Sequence, residues 1–357
     1  KNFKVLIHDI NEKNLNLIGK GILPFKENGA SKLLRKVKNK IHLSQNEKLL
    51  KNCKTIIICL GTPVDEYQNP EISKFLKILS KLKKNVSKSS NIIIRSSVTP
   101  GVTNYVSKIF GKRIAYCPER IVQGKSIEEI STIPQIVSGL SPKAINIAKK
   151  IFSKVTKKII TTSVREAEFI KLFLNSYRYI GFALTNQFYQ ICEDNNLNYS
   201  NLRKKMTEDY PRAKYIPSPG FAAGPCLYKD TLQLFSVAKN NFSLGMNAII
   251  TNENFPKFII DKCETKFYCK SKTLGILGMT FKKDIDDIRD SLSFKLLKYA
   301  KPRFKKIYYT DPYYKNLKTK KLDFVLKNSD IIIIATPHSQ YKKIKIPKNK
   351  IIINEWE

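Results

Sequence analysis

Short runs of apolar, mostly β-branched residues alternate along the chain with stretches of helical periodicity. The runs lie at residues 4–8, 55–60, 91–95 and 113–117, and again at residues 273–279, 306–310, 331–335 and 351–354. Parallel strands need a crossover connection, which is usually a helix, and such helices cover both faces of the sheet. The alternation therefore predicts an α/β protein with two parallel-sheet domains.

The pattern changes to that of one long helix from residue 163 to about residue 193. Ser163 and Glu166 form a capping-box pair at its start. Apolar residues on this helix make a face broad enough to pack two domains or two subunits together. We therefore expect sheets in the first and third domains and helices in the second. The predicted domains are residues 1–160, 161–255 and 256–357.

The composition of the 357-residue chain argues against several classes of protein. No apolar run reaches the roughly 18 residues that a membrane span needs, and no signal-peptide pattern opens the chain, so we expect a cytoplasmic protein. The 7 cysteines fit no disulfide framework and no zinc spacing, and the sequence has 3 histidines, so we expect no metal site.

The formal net charge is +36 at pH 7, with lysines spread through the whole chain. A nucleic-acid-binding protein should show basic residues clustered within a recognisable module, and we identify no such module. We therefore expect a lysine-rich, solvated surface and no nucleic-acid partner. The positive field would still attract a small polyanion such as a nucleotide diphosphate.

The most specific stretch is a loop of small residues, 219–225, that runs into Cys226 and a predicted helix from Leu227. Small residues let a ligand lie directly against the backbone. Free N–H groups at the start of the helix favour the nucleophilic thiolate form of a cysteine. Asp230 follows one turn later and so faces the same way, as an acid or base partner. Alternatively, Cys226 is a small buried hydrophobe, as most free cysteines are.

Small and polar residues also follow three strands of the first predicted sheet. They are Gly61-Thr62-Pro63, residues 96–101 and Cys117-Pro118-Glu119-Arg120. Ligands bind beyond the carboxyl ends of parallel strands, so we expect one shared crevice. Asp9 ends an earlier strand, where an acid commonly hydrogen-bonds the adenosine ribose of a dinucleotide. The strand and Gly-x-Gly-x-x-Gly turn expected before it would lie ahead of Lys1.

Taken together, these segments resemble the UDP-glucose/GDP-mannose dehydrogenase family, whose members oxidise the C6 alcohol of a nucleotide sugar to a carboxylate with two NAD. The matching segments are residues 9–11, 61–63, 97–101, 117–120, 166–171 with Asn175, 224–230, and 281–284 with 289–291. The resemblance implies two Rossmann-like domains joined by a long central helix and a helical middle domain. It also implies a homodimer formed through that helix, although the apolar face could equally be satisfied within one chain.

The resemblance implies catalytic roles for five residues. Cys226 matches the nucleophile that holds the intermediate aldehyde as a thiohemiacetal and then a thioester. Lys171 and Asn175, which share a helix face, match the pair that stabilises the developing oxyanion. Asp230 and Glu119 match the acids that handle protons and activate water.

The resemblance also implies two sets of binding residues. By position, NAD would be bound by Asp9, Thr62, Pro63, Ser97 and Arg289. The UDP-sugar would be bound by Arg212, Gly220, Phe281 and Lys282.

The choice of sugar stays open at this point. Cys117-Pro118-Glu119-Arg120 favours a UDP-N-acetylhexosamine, such as UDP-ManNAc or UDP-GlcNAc, over UDP-glucose. A UDP-glucose 6-dehydrogenase is the alternative. A second alternative is a catalytically silent UDP-sugar-binding protein, because the glycine-rich turn that would bind the NAD pyrophosphate is not in the sequence.

Overall fold

A computed structural model describes residues 3–62, 64–65, 70–345, 347 and 349–354. The chain divides into two compact units, Lys1–Leu174 (unit 1) and Asn175–Glu357 (unit 2). Each unit is an α/β structure with its own sheet and core. The boundary between the units falls within one long helix, and the bounds of the three predicted domains stay predictions.

Within the described residues, unit 1 contains a five-stranded sheet and a separate pair of strands. The strands are β1 (Val5–His8), β2 (Ile41–Ser44), β3 (Thr55–Ile58), β4 (Asn91–Ile94), β5 (Ile114–Tyr116), β6 (Gln135–Gly139) and β7 (Ile159–Thr161). β1 pairs with β2 in parallel, and the larger sheet has the order β3-β4-β5-β6-β7. β3, β4 and β5 are parallel as predicted, but β6 runs antiparallel to β5.

Six helices connect these strands in the described part of unit 1. They are α1 (Glu12–Gly19), α2 (Ala30–Val37), α3 (Ile72–Leu82), α4 (Val102–Phe110), α5 (Ser126–Thr132) and α6 (Pro142–Phe152). Ile92 and Ile94 of β4 belong to one apolar cluster, whereas Ile93 belongs to another. Since alternate side chains of a strand point to opposite faces, both faces of the sheet are covered.

Helix α7 (Val164–Asp194) crosses the boundary between the units. The predicted capping box is present at its start, because the Ser163 N–H donates to Glu166 Oε2 over 2.9 Å and the Glu166 N–H donates to Ser163 Oγ over 3.2 Å. This reciprocal pair satisfies two N–H groups that the first turn of a helix leaves without partners. The prediction of one long helix is confirmed.

Unit 2 contains a four-stranded parallel sheet in the order β11-β10-β8-β9 within its described residues. The strands are β8 (Thr273–Leu277), β9 (Lys306–Thr310), β10 (Ile331–Ile334) and β11 (Ile351–Ile353). The helices are α8 (Tyr199–Thr207), α9 (Leu227–Val237), α10 (Ser243–Lys266), α11 (Leu292–Ala300) and α12 (Leu322–Asn328). Across the described chain, we find no helix with both the length and the apolar character needed to span a membrane.

Candidate active site

Cys226 is the N-cap residue of α9, which begins at Leu227 as the sequence predicts. The Asp230 N–H donates to the Cys226 carbonyl over 2.9 Å and so closes the first turn of the helix. The thiol-bearing residue is exposed, whereas Cys117 and Cys263 are buried. The alternative interpretation of Cys226 as a buried hydrophobe is therefore wrong.

Burial distinguishes the interior cysteines chemically. It raises the pKa of Cys117 to about 12 and the pKa of Cys263 to about 12, because a thiolate is poorly solvated inside the protein. A nucleophilic cysteine needs access to substrate and to water. Among these three thiols, Cys226 meets that requirement.

Gly224 holds the loop before Cys226 in a conformation that excludes a side chain. Its φ of 97° is left-handed, and a Cβ atom there would lie 2.5 Å from the ring of Phe281. The Gly224 N–H also donates to the Asp290 carbonyl over 3.2 Å. The cysteine loop is therefore fixed against the segment that follows β8, and the Phe281 ring packs against Gly224, two residues before Cys226.

Asn175 and Asp230 form a buried pair in unit 2. The Asn175 amide nitrogen donates to Asp230 Oδ2 over 2.6 Å, and the two residues are 5% and 1% exposed. Lys229 places its ammonium nitrogen 3.1 Å from Asp230 Oδ1, which balances the charge of the buried carboxylate. Two of the predicted catalytic residues, from α7 and α9, are thus brought into direct contact.

Lys171 lies one helical turn before Asn175 on α7 and is 9% exposed. Nearby on the same helix, Glu168 accepts hydrogen bonds from the Gly101 N–H over 2.7 Å and the Thr103 N–H over 2.9 Å. Glu168 thus caps α4 from another element and ties α7 to the loop after β4.

Glu119 follows β5 in unit 1 and forms an ion pair with Arg95, which follows β4. Its other carboxylate oxygen accepts the Arg120 N–H over 2.9 Å and the Ile121 N–H over 3.0 Å. Burial lowers the pKa of Arg95. Because the Glu119 side chain is 42% exposed, its carboxylate stays accessible to solvent while its orientation is fixed.

The predicted NAD residues of unit 1 lie at the carboxyl ends of strands. The Thr62 hydroxyl donates to the Ser97 carbonyl over 2.6 Å, which joins the ends of β3 and β4. Asp9 is exposed after β1, and its Oδ1 accepts the Asn11 N–H over 2.8 Å. Pro63 lies outside the described residues. An exposed carboxylate and hydroxyl groups at strand ends fit the ribose and phosphate groups of a dinucleotide.

Arg289 lies in unit 2 rather than among the other predicted NAD residues. Its pKa is raised, first by hydrogen bonds to the Asp287 carboxylate and to a smaller extent by the charge of Cys226. The Nη2 to Asp287 Oδ2 distance is 2.7 Å. The guanidinium group is therefore within electrostatic range of the exposed cysteine, a relationship that the sequence did not reveal.

The predicted UDP-sugar residues are all in unit 2. Arg212 is exposed and lies 4.9 Å above the Tyr210 ring. Gly220 is buried, and Asn186 holds both its backbone groups, accepting the N–H over 2.8 Å and donating to the carbonyl over 3.1 Å. Phe281 and Lys282 are half-buried in the loop after β8.

Sequence reasoning missed Arg95, Glu168 and Asn186, which orient backbone or side chains of predicted site residues. For Glu168 one signal was present, because the N-cap residue of α4 is Gly101, which has no side chain to cap the helix. Among the described residues we find no group of three His, Cys, Asp or Glu side chains that could hold a metal ion.

The matching family models define the class of protein as an NAD-dependent dehydrogenase with a separate UDP binding domain. Family models for the NAD binding, central and UDP binding domains match residues 1–156, 165–254 and 275–355. The chain belongs to the UDP-glucose/GDP-mannose dehydrogenase family. The resemblance seen in the sequence and the prediction of NAD as cofactor are confirmed.

Individual relatives show the same similarity. A UDP-N-acetyl-D-mannosamine dehydrogenase from Pyrococcus horikoshii is 28% identical over 99% of this chain and 89% of its own length. A UDP-glucose 6-dehydrogenase from Rickettsia bellii is 29% identical over 94% of this chain and 84% of its own length. The solved structure of UDP-D-ManNAc dehydrogenase from Pyrococcus horikoshii has a TM-score of 0.90 at 26% identity and covers 100% of this chain and 90% of that one.

Proposed function

We propose that the protein oxidises the C6 alcohol of UDP-N-acetylmannosamine to the uronate through a covalent intermediate on Cys226. The observation that carries the proposal is an exposed cysteine at the start of α9, one turn before the buried Asn175–Asp230 pair. The relatives named for UDP-N-acetyl-D-mannosamine support the choice of sugar. The net reaction consumes one alcohol, two NAD⁺ and one water, and yields one carboxylate, two NADH and three protons.

Binding of NAD is assigned to Asp9, Thr62, Pro63 and Ser97 of unit 1 and to Arg289 of unit 2. When bound, the nicotinamide supplies the hydride acceptor. The residues of the chain supply alignment, because the Thr62–Ser97 bond fixes the adjacent ends of β3 and β4.

In the first oxidation, C6 loses a hydride and the hydroxyl oxygen loses a proton, which gives the aldehyde. We assign Lys171 and Asn175 to the oxygen, since a cation and an amide stabilise the negative charge that develops there. Asn175 is oriented before substrate arrives because Asp230 already accepts its N–H. Such preorganisation avoids reorientation during the reaction.

In the second oxidation, the Cys226 thiolate adds to the aldehyde carbon and forms a thiohemiacetal. Loss of hydride from that carbon gives a thioester. Water then attacks the thioester carbonyl, and the carbon–sulfur bond breaks to release the carboxylate and restore the thiol. Asp230 and Glu119 are assigned to proton transfer in these steps.

The UDP group is assigned to Arg212, Gly220, Phe281 and Lys282. Phe281 and Lys282 fall within the stretch that matches the UDP binding domain. Gly220 precedes Cys226 in the same loop, so a nucleotide sugar held there would lie next to the thiol. Lysine and arginine side chains suit the diphosphate charge.

A homodimer through α7 is also proposed. Several apolar residues of this helix are exposed, and they are Phe173, Leu174, Tyr177, Leu184 and Ile191. Phe173, Tyr177, Leu184 and Ile191 repeat at intervals of four and seven residues, which places them along one side of the helix. An apolar stripe of this kind is typical of a protein interface.

The test is the stoichiometry of NADH with a limiting amount of each sugar nucleotide. We expect about two NADH per UDP-ManNAc, because aldehyde and carboxylate formation each release one hydride, and slower turnover of UDP-GlcNAc and UDP-glucose. One NADH per sugar would contradict the double oxidation. Faster turnover of UDP-glucose would instead support the activity named for the Rickettsia relative.

A further inference from the structure

His338 is buried in unit 2, at 0% exposure, and uses both nitrogens of its ring. Nδ1 accepts the Asp284 N–H over 3.0 Å, and Nε2 lies 3.1 Å from Asp311 Oδ2. A backbone N–H can only donate, so Nδ1 carries no proton in this arrangement. Nε2 therefore carries the proton and donates it to the carboxylate of Asp311.

Asp311, directly after β9, holds the first part of the loop that follows β8. Its Oδ2 accepts the Met279 N–H over 2.6 Å and the Thr280 N–H over 3.0 Å. Its Oδ1 accepts the Tyr313 N–H over 2.7 Å and the Tyr314 N–H over 3.0 Å. Because these bonds occupy the carboxylate on both oxygens, its orientation is fixed by the backbone, and His338 is hydrogen-bonded to a rigid group.

The other nitrogen of His338 holds the far end of the same loop. Asp284 adopts a left-handed conformation with φ of 59°, which costs energy for a residue other than glycine. The His338 bond to its N–H and the Ser339 N–H bond to its Oδ1, of 2.8 Å, stabilise that conformation. One imidazole thus connects the beginning and the end of the loop at residues 279–284.

The loop carries Phe281 and Lys282 between these two anchors. The Phe281 ring lies against Gly224 so closely that it excludes a Cβ atom there. The Phe281 N–H donates to the Asp287 carbonyl over 3.0 Å, and the Thr280 hydroxyl donates to the Lys282 carbonyl over 3.1 Å. The position of the loop therefore determines where Phe281 meets the cysteine loop.

We propose that His338 is a positioning residue for the UDP-sugar, which acts by fixing the 279–284 loop so that Phe281 and Lys282 are preorganised against the cysteine loop. The proposal rests on the proposed function for the role of Phe281 and Lys282. His338 does not contact the substrate. Its edge contacts with the Tyr313 and Tyr341 rings, with centroids 5.1 and 5.4 Å away, set the ring plane that directs both nitrogens.

The test compares His338→Leu, which removes the hydrogen bonds of the imidazole to Asp284, Asp311 and Thr280, with His338→Gln, which keeps an amide that can bond to Asp311. We expect His338→Leu to raise the KM for the UDP-sugar and the Kd for UDP by about 10- to 100-fold. The kcat and the KM for NAD should stay within about threefold of the wild-type values. Binding energy that is lost equally from the bound substrate and from the transition state leaves the rate of the chemical step unchanged. His338→Gln should recover part of the UDP affinity.

Tyr341→Phe serves as the matched control, since it keeps the ring against His338 and loses one long hydrogen bond of 3.4 Å to the Thr310 carbonyl. UDP affinity in this variant should equal that of the wild type. An equal Kd for UDP in wild type and both folded His338 variants would overturn the positioning role. If His338→Leu does not fold, an unchanged UDP affinity in folded His338→Gln overturns it. A wild-type protein that binds no UDP would instead overturn the proposed function.

Discussion

The amide nitrogen of Asn175 donates a 2.6 Å hydrogen bond to Oδ2 of Asp230 and so connects α7 directly to α9. Both side chains are buried, and the second carboxylate oxygen faces the ammonium group of Lys229. A buried carboxylate is costly unless it is paired, so these contacts offset the burial of Asp230 one turn after the exposed cysteine.

The Asn175–Asp230 bond predicts that Asn175→Ala reduces both activity and stability. The change leaves a buried carboxylate oxygen without its partner, which should lower the free energy of unfolding by about 1–3 kcal/mol. The kcat should fall about 100-fold or more if the amide stabilises the oxyanion. Steady-state kinetics and urea denaturation measure the two effects. Asn104→Ala, at an exposed position of α4, should change neither kcat nor the free energy of unfolding. If Asn175→Ala also leaves both quantities unchanged, the assignment of Asn175 is contradicted.

Gly224→Ala should damage the cysteine loop. The new methyl group would lie 2.5 Å from the Phe281 ring at a residue with φ of 97°, so the loop or the ring must move at a cost of about 1–3 kcal/mol. We expect weaker UDP-sugar binding and a lower melting temperature. Gly181→Ala is the control, because nothing lies within 4 Å of its Cβ position in α7, and alanine there should stabilise the helix by about 0.5–1 kcal/mol.

The stability of unit 2 should depend on pH through Asp311. Burial acts to raise the pKa of Asp311, but hydrogen bonds from His338 and from backbone N–H groups outweigh it and lower the pKa below 3.8. An acid whose pKa is lower in the folded protein than in the unfolded chain stabilises the fold above its unfolded pKa. This stabilisation is lost as the pH falls through its folded pKa. Asp311→Asn should therefore destabilise the protein by about 2–4 kcal/mol at pH 7.

The cost of Asp311→Asn should shrink as the pH falls below about 4, because Asp311 then becomes protonated in the unfolded chain while it is still ionised in the folded protein. Urea denaturation at pH 7 and pH 3 measures the difference. Asp323→Asn, at an exposed position in the first turn of α12, should cost no more than about 0.5 kcal/mol at either pH. A pH-independent penalty at Asp311 would mean that the side chain acts through its shape and not its charge.

Thiol labelling should separate the cysteines by exposure. Cys226 and Cys59 are exposed and should react with iodoacetamide before Cys117 and Cys263, whose burial raises each pKa to about 12. UDP-sugar should protect Cys226 but not Cys59, if the substrate lies against the cysteine loop. Peptide mass spectrometry follows each site. Equal protection of both thiols would indicate a general change in structure and not occupation of a site at Cys226.

The proposed dimer predicts that a charge in the exposed stripe of α7 produces monomers. Tyr177 is 70% and Ile191 is 57% exposed, so Tyr177→Glu with Ile191→Lys should leave the fold of each chain intact. Light scattering after gel filtration should show half the mass of the wild type. Arg165→Glu, near the start of the helix, is a control for added charge. A wild type that is already monomeric would contradict the proposal.

The sequence predicted elements that carry their own periodic signal. Helix α7 differs from its predicted bounds, residues 163–193, by one residue at each end. β2, β6 and β7 were missed because they are short and lack a continuous apolar run. The direction of β6 was also not predicted. Its antiparallel pairing with β5 depends on which strand lies beside β6 in the fold and not on the residues of β6.

The residues of the candidate site also fall into two groups, those that the sequence predicted and those that it did not. Cys226, Asp230 and Gly224 were found because their residue types and spacing in one loop indicate chemistry. Asn186, Glu168 and His338 were not, because each acts on backbone groups at least 34 residues away in sequence. Long-range hydrogen bonds of this kind follow from the packed fold, so a single sequence gives no pattern for them.

The most direct test of the account is the turnover of Cys226→Ser with UDP-ManNAc and NAD, measured alongside its affinity for UDP-ManNAc. A hydroxyl is a far weaker nucleophile than a thiolate, so we expect kcat to fall by about 1,000-fold or more while the Kd for the sugar nucleotide stays within about threefold. Wild-type turnover in this variant would show that the double oxidation does not pass through a covalent bond to Cys226.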